Sequence, residues 1–240
     1  MSSIDYHLKE LEIAVSANDP RTVNPTLPDD FASILDVGCG IGQGLGACQL
    51  KRKVFACGVD IDEAAVRHAK RVAPLHHFVC AQAERLPLSN ASFDVVISRV
   101  TLPYVHIPTA LKEIARVTKD YGEVWFTLHP WQMARSHLFR AIRAGNLKNT
   151  LFRIYVIVNG ICFHFLGRQF RYPLRRRRCE SFQTVRGMTQ AMRRAGFEQV
   201  GVQTGCFLIA TAVKVSRKKQ LDTAPNSKPK RELAAGGMSV

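Results

Sequence analysis

The chain has no C-x-x-C pair: its seven cysteines, Cys39, Cys48, Cys57, Cys80, Cys162, Cys179 and Cys206, are odd in number and scattered. That spacing argues against the common zinc and dithiol redox motifs and fits a reducing cytosol. The opening MSSIDYHLKELE lacks an apolar core, so no secretory leader is expected. No internal repeat is evident. The longest apolar stretch, Leu147 to Leu166, is interrupted by Arg153, Asn159-Gly160 and His164, and reads as too short and too broken for a transmembrane helix. Acidic residues are scarce in one half only. Residues 1–130 hold 13 Lys/Arg against 15 Asp/Glu, a net charge of −2, whereas residues 131–240 hold 21 against 4, a net +17. A half so basic suits an acidic partner, which is an anionic membrane surface, nucleic acid or an anionic small molecule; the plain alternative is a solvated basic face. The expected location is cytoplasmic, at most peripheral to the inner face of the membrane.

What is present is enough for one domain. With 240 residues and 46% hydrophobic side chains, the chain can bury one sizeable core. From Ala32 onward short apolar runs alternate with amphipathic stretches: Ser33 to Val37, Gln43 to Lys51, Val54 to Val59, Glu63 to Val72 and Phe78 to Ala81. The alternation continues with Phe93 to Ser98, a helix from about Thr109 to Thr118 stopped by Tyr121-Gly122, and Glu123 to Leu128. Short runs separated by helical stretches make βαβ units and a parallel sheet. After Pro130 the alternation fails, and Trp131 to Ala144 and Leu147 to Leu166 read as two helices of an insert. A helix from Thr184 to Ala195 then precedes Glu198 to Gln203 and Cys206 to Val215, which read as an antiparallel hairpin at the sheet edge. The expected fold is α/β, with a Rossmann-like, mostly parallel sheet of seven strands and a helical insert after the fifth. The expected division is an N-terminal cap at 1–31, a domain at 32–215 with its insert at about 131–180, and a disordered basic tail at 216–240.

The first strand runs into Asp36-Val-Gly38-Cys39-Gly40-Ile-Gly42-Gln-Gly44 directly before a helix. Glycines at that junction permit positive φ and let a ligand lie against bare backbone at a helix N-terminus. Nucleotide, flavin and nicotinamide sites use similar turns, but the dinucleotide spacing would need a glycine where Gln43 stands. Asp36 also precedes the loop, where a carboxylate repels a pyrophosphate and suits an ammonium. S-adenosylmethionine carries an ammonium and a sulfonium and no phosphate, so the charge favours it. The second strand ends in Gly58-Val-Asp60-Ile61-Asp62. Asp60 there is placed to accept hydrogen bonds from ribose hydroxyls, while Asp62 is placed to cap the next helix.

Taken together with Ala83-Glu-Arg-Leu-Pro-Leu88 and Ser92-Phe-Asp-Val-Val-Ile-Ser-Arg99, these segments resemble the class I S-adenosylmethionine-dependent methyltransferases, in particular the group that includes the ubiquinone/menaquinone-biosynthesis C-methyltransferases. The resemblance covers roughly Ser33 to Leu128 and is specific for cofactor and fold rather than for substrate. It implies a cofactor site built from Asp36, Gly38, Cys39, Gly40, Gly42, Asp60, Ile61, Gln82, Ala83, Glu84, Ser98 and Arg99. Gln82, Ala83 and Glu84 would meet the adenine; Gln82 stands where the family commonly has Asp, which keeps an acceptor but loses its charge. Ser98 and Arg99 would pass the methionine end, with Arg99 facing either Asp36 or the cofactor carboxylate. Cys39 reads as a small filler between glycines rather than a nucleophile.

Methyl transfer from a sulfonium needs alignment and desolvation more than elaborate chemistry, and no metal is implied. A general base helps when the acceptor is a hydroxyl, an amine or an acidic carbon. Tyr104, His106 and His129 are candidates, with His129, at the end of the fifth strand, placed first. The insert points to a small lipophilic or aromatic acceptor. Its apolar helix reads either as a lid resting on an anionic bilayer or as a helix buried over the site of a soluble enzyme. The competing function is an RNA-modifying methyltransferase, with Arg175 to Arg178 and the basic tail on phosphates. Against it, the insert has few aromatic platforms for bases. A cofactor-binding partner protein without activity is the third class, which complete cofactor segments disfavour.

Overall fold

The computed structural model describes residues 3–16, 22–173 and 178–215. The basic tail from residue 216, and Arg175 to Arg177 of the arginine run, lie outside the described residues. An N-terminal helix, α1 (Ser3–Val15), precedes the sheet strands β1 (Ser33–Val37), β2 (Phe55–Asp60), β3 (His77–Cys80), β4 (Phe93–Arg99), β5 (Thr118–Leu128), β6 (Phe197–Thr204) and β7 (Leu208–Lys214). Helices α2 (Gln43–Ala47), α3 (Glu63–Val72) and α4 (Ile107–Val117) connect the first five strands, α5 (Trp131–Arg143) and α6 (Leu147–Leu166) form the insert, and α7 (Val185–Arg194) leads into β6.

The seven strands lie in the order β3-β2-β1-β4-β5-β7-β6. The first five pair in parallel, while β7 is antiparallel to both β5 and β6. All five residues of β1 are buried, as a parallel strand covered on both faces requires. Alternate side chains feed the two layers. Leu35 and Val37 join Leu111, Ile114, Met188 and Met192 on one side, while Ile34 joins Leu45, Val66, Ala69 and Phe78 on the other. Because strand order reverses between β1 and β4, their carboxyl ends open a crevice, the place where open α/β sheets bind ligands.

Three features depart most from the sequence reading. Helix α2 stops at Ala47 rather than Lys51, in keeping with Gly44 and Gly46, which weaken so short a helix. Helix α4 ends at Val117 and passes straight into β5, with Thr118 Oγ1 donating to the Ile114 carbonyl. Tyr121-Gly122 is therefore not the helix stop but an irregularity inside β5, with Tyr121 at φ 64°.

The third difference concerns α6. By length and composition it is long enough and apolar enough to cross a membrane, contrary to the sequence reading. Its apparent interruptions face inward. Asn159 is buried, donates to the Glu180 carbonyl at 2.9 Å and accepts from the Phe170 amide at 2.7 Å. Arg153 pairs with Glu180 at 2.9 Å. A Cβ on Gly160 would collide with the Phe182 ring.

The insert is tied back to the strand ends by buried polar side chains. Gln169 accepts from the Ile107 amide at 2.7 Å and donates to Ser181 Oγ. Gln183 accepts from the His129 amide at 3.0 Å and its own amide donates to the His129 carbonyl at 2.8 Å. Gln169 and Gln183 thus have both ends of their side-chain amides engaged, which ties the insert to the strand ends at little desolvation cost.

Candidate functional site

A cavity of about 350 Å³ opens at the carboxyl ends of β1, β2 and β4. That size falls within the ~300–1,000 Å³ of small-molecule sites. Asp36, Gly38, Cys39, Asp60, Ile61, Gln82, Glu84, Arg99 and Tyr104 line it.

The loop after β1 owes its path to glycine. Gly38 (φ 82°), Gly40 (φ 54°) and Gly42 (φ 90°) all occupy the left-handed region. A Cβ on Gly38 would strike Thr101, and one on Gly44 would strike the Asp36 carboxylate. Bare backbone is therefore what lets the acid and the next strand's loop close around one space. Asp60 holds the loop in place. Its carboxylate accepts from the Gly40 amide at 2.7 Å and from the Asp62 amide at 2.8 Å. Each oxygen retains acceptor capacity, since a carboxylate offers about four lone-pair positions. Asp62 accepts from the Ala64 and Ala65 amides and so caps α3.

The electrostatics centre on two charged groups. Asp36 is 1% exposed, and its Oδ1 has no hydrogen-bond partner among the described residues; the same holds for Arg99 Nη1. Burial pushes the Asp36 carboxyl up to about 7, the Arg99 guanidinium pulls it back, and the Asp60 carboxylate raises it further. A buried acceptor and a buried cationic donor, each short of a partner, cost free energy until something supplies both complements. A ligand with an adjacent ammonium and carboxylate does so. Val100, next to Arg99, lines the same cavity at φ 55°, a rare conformation for a β-branched residue and of the kind that gathers at functional sites.

Other residues from the sequence reading are spread around this cavity. Ile61 is 68% exposed at its wall, and Gln82 is exposed there too. Glu84 lines it while its Oε1 accepts from the His106 amide at 3.2 Å, at the start of α4. The Ala83 side chain sits in the core, and Gly40 and Gly42 shape the loop without being among the lining residues. Cys39 packs toward Gly58 and Phe78, and burial drives its thiol far above the ordinary range, which suits a filler. Ser98 is wholly buried and its hydroxyl donates to the Val37 carbonyl at 2.8 Å, so its side chain braces β4 on β1 rather than facing a ligand.

His129 does not line the cavity. Its ring packs edge-on against Tyr104 at 5.2 Å between centroids, and Tyr104 is the one that faces the space. Burial pushes the imidazole down to about 4, helped by His137 and Arg153, so it is neutral and weakly basic at physiological pH. The expectation that His129 faces the crevice is thus corrected: the chain turns at Pro130, and the return segment around Gln183 clasps the His129 backbone. His106 also sits back from the lining residues, with its Nδ1 2.8 Å from Thr109 Oγ1.

Sequence reasoning missed four residues. His7 and Glu10 of α1 close one side of the cavity, Thr101 stands against Gly38, and Arg171 arrives from the segment after α6. Only long-range packing brings them there, so no local pattern marks them.

The order of strands, the glycine loop and the acid that ends β2 define a Rossmann-like α/β domain. Residues 35–126 match the family model described as a methyltransferase domain. The match covers less than half of the chain and bears on this stretch. Over 100 residues the chain is 38% identical to a malonyl-[acyl-carrier protein] O-methyltransferase of Marinomonas, covering 39% of this chain and 37% of that one. It is 36% identical over 97 residues to a phthiotriol/phenolphthiotriol dimycocerosates methyltransferase of Mycobacterium leprae, covering 38% and 35%. The match thus spans little more than a third of these curated relatives. A solved S-adenosylmethionine-dependent methyltransferase of Thermotoga maritima superposes with a TM-score of 0.54 at 18% identity, over 88% of this chain and 90% of that one. One of Methanosarcina mazei gives 0.52 at 19%, over 80% and 99%. At such identities the likeness bears on the fold.

Proposed function

We propose that the chain transfers the methyl group of S-adenosylmethionine to a small lipophilic acceptor. The observation that carries the cofactor half is the buried pair Asp36 and Arg99, each with an unpartnered atom at the cavity. Asp36 takes the ammonium and Arg99 the carboxylate of the methionine end. Asp60, already fixed by two amides, accepts from the ribose hydroxyls, and Ile61 and Gln82 meet the adenine face and edge.

Bound S-adenosylmethionine supplies an electrophilic methyl on a sulfonium, ready for in-line transfer to a nucleophile. The protein's part is to align and to exclude water, with Val100, Tyr104 and α1 enclosing the space and orientation supplying most of the acceleration. Tyr104 is the side chain placed to touch the acceptor, and His129 acts behind it as a neutral packing partner.

The lipophilic acceptor is supported by the apolar insert beside the cavity. The relatives' names specify malonyl-[acyl-carrier protein] and phthiotriol/phenolphthiotriol dimycocerosates, and the quinone-biosynthesis group resembled by the cofactor segments fits a lipophilic acceptor. Labelled methyl groups from S-adenosylmethionine offered to lipid, metabolite and RNA fractions test this directly. Label entering the lipid fraction is expected, and label confined to RNA overturns the acceptor assignment. Calorimetry that detects no S-adenosylmethionine binding overturns the whole reading.

A further inference from the structure

We infer that the outer face of α6, with the basic side chains around it, docks on an anionic lipid bilayer. Leu147, Leu151, Ile154, Val158, Ile161 and Phe165 are all exposed, between 44% and 72%. Their spacing alternates four and three, so at about 100° per residue they share one arc of about 80°. On the opposite face Phe152, Val156 and Phe163 are buried. A helix apolar on all sides is ordinarily buried on all sides. Here only 28% of its most apolar stretch is covered, and Phe139 and Ile142 of α5, the helix packed on α6, are exposed as well.

Charge identifies the occupant. Residues 131–173 contain seven Arg/Lys and no Asp/Glu. Arg153 is paired with Glu180, whereas Arg135, Arg140, Arg143, Lys148 and Arg168 are exposed around the stripe. A second copy of this chain would satisfy the aliphatic stripe but would set like charges against like across a low-dielectric seam. Nucleic acid would satisfy the charges but has no use for aliphatic side chains, and Phe165 is the stripe's one aromatic. An anionic bilayer matches both, hydrocarbon for the stripe and headgroups for arginine and lysine ends that reach outward.

The orientation also serves the cavity. The chain leaves α6 through Gly167 (φ 64°) and four residues later supplies Arg171 to the cavity wall. Seating α6 on a bilayer brings that wall to the lipid surface, so a lipophilic acceptor reaches it without crossing water; this last step rests on the methyl-transfer reading, the docking itself does not.

Flotation of the full chain, without cofactor, on vesicles of phosphatidylcholine and on vesicles of equimolar phosphatidylcholine and phosphatidylglycerol is the test. The parent is expected to float with the anionic vesicles and much less with the neutral ones. The I154S/V158S/I161S variant, and separately R140E/R143E/K148E, are expected to lose about tenfold or more of the partition while keeping the parent's melting temperature and S-adenosylmethionine affinity. Should a triple variant fail to fold, Val158→Trp alone is expected to shift its emission to the blue on adding anionic vesicles. Equal flotation of parent and variants, or equal flotation on neutral vesicles, overturns the proposal. So does a dimer that the serine variant dissolves, or salt-sensitive retention on RNA without flotation. None of these outcomes touches cofactor binding, which calorimetry reads separately.

Discussion

Asp36 and His129 have displaced titrations of opposite consequence. For Asp36 the folded state holds its proton more tightly than the unfolded chain, so its contribution to stability is full below the ordinary carboxylate range and is lost as pH rises to about 7. Asp36→Asn is therefore expected to raise the melting temperature of the ligand-free protein at pH ~8, with the difference vanishing near pH ~4. On the proposed binding mode the same substitution removes the charge that would meet the ammonium, so S-adenosylmethionine affinity is expected to fall. In the parent, calorimetry is expected to show that affinity rising by up to about eightfold between pH ~6 and ~7.5, the ratio of ionised fractions for a group titrating near 7. A flat profile would mean that Asp36 does not face the ammonium.

His129 runs the other way. Its lowered value gives stability that is full above the ordinary imidazole range and lost as pH falls toward about 4. His129→Gln is expected to flatten that acid loss in a melting series, and the parent's turnover at saturating S-adenosylmethionine should show no limb near pH ~6.5 of the kind a catalytic histidine imposes. Asp60→Ala, by freeing the Gly40 amide as well as removing the ribose acceptor, is expected to cost at least about tenfold in cofactor affinity. Asp36 and Asp60 were legible as cavity-lining because each lies at the carboxyl end of a strand, Asp36 just before the glycine turn. The displacement of His129 was not, because it depends on Gln183, fifty-four residues further on.

Among the elements, the insert shows most clearly how pattern and packing part company. Two helices were visible in the apolar spacing of residues 131–166, and the structure has them within a residue of the expected ends. Asn159-Gly160 looked like a break because both residues are poor in helices, yet Gly160 leaves the room that the Phe182 ring fills and Asn159 bonds to the Glu180 carbonyl. Gly160→Ala tests the point. Helix propensity alone would favour alanine by about 1 kcal/mol, whereas overpacking against a buried ring costs about 1–3 kcal/mol. Denaturant unfolding is expected to show net destabilisation; a more stable variant would place Phe182 elsewhere. Helix α1 shows the reverse case. MSSIDYHLKELE lies in the cap expected at 1–31 but did not show which side of the site it would wall, because the contacts that decide it lie across α2 and α3.

For the molecule as a whole, cofactor binding and folding are linked. A ligand at about one hundred times its Kd adds about 2.7 kcal/mol, which for a domain of this size is about 5–10 °C in Tm. S-adenosylmethionine is expected to produce such a shift and a pyrophosphate-bearing nicotinamide dinucleotide none, since Asp36 repels phosphate. A shift with the dinucleotide alone would reassign the site.

The amino-acid sequence by itself determined the succession of strands and helices, the glycine turn and the acid after the second strand. These are written in periods of two and of three to four residues and in positions where only glycine fits, all of them local. The tertiary structure alone decided which titratable groups face the cavity, how α1 closes it, and that the apolar helix turns one side to the core and the other outward. Those outcomes depend on partners far apart in the chain, such as Ile107 with Gln169 and Arg153 with Glu180, and on burial that shifts a proton's affinity only once the layers have closed.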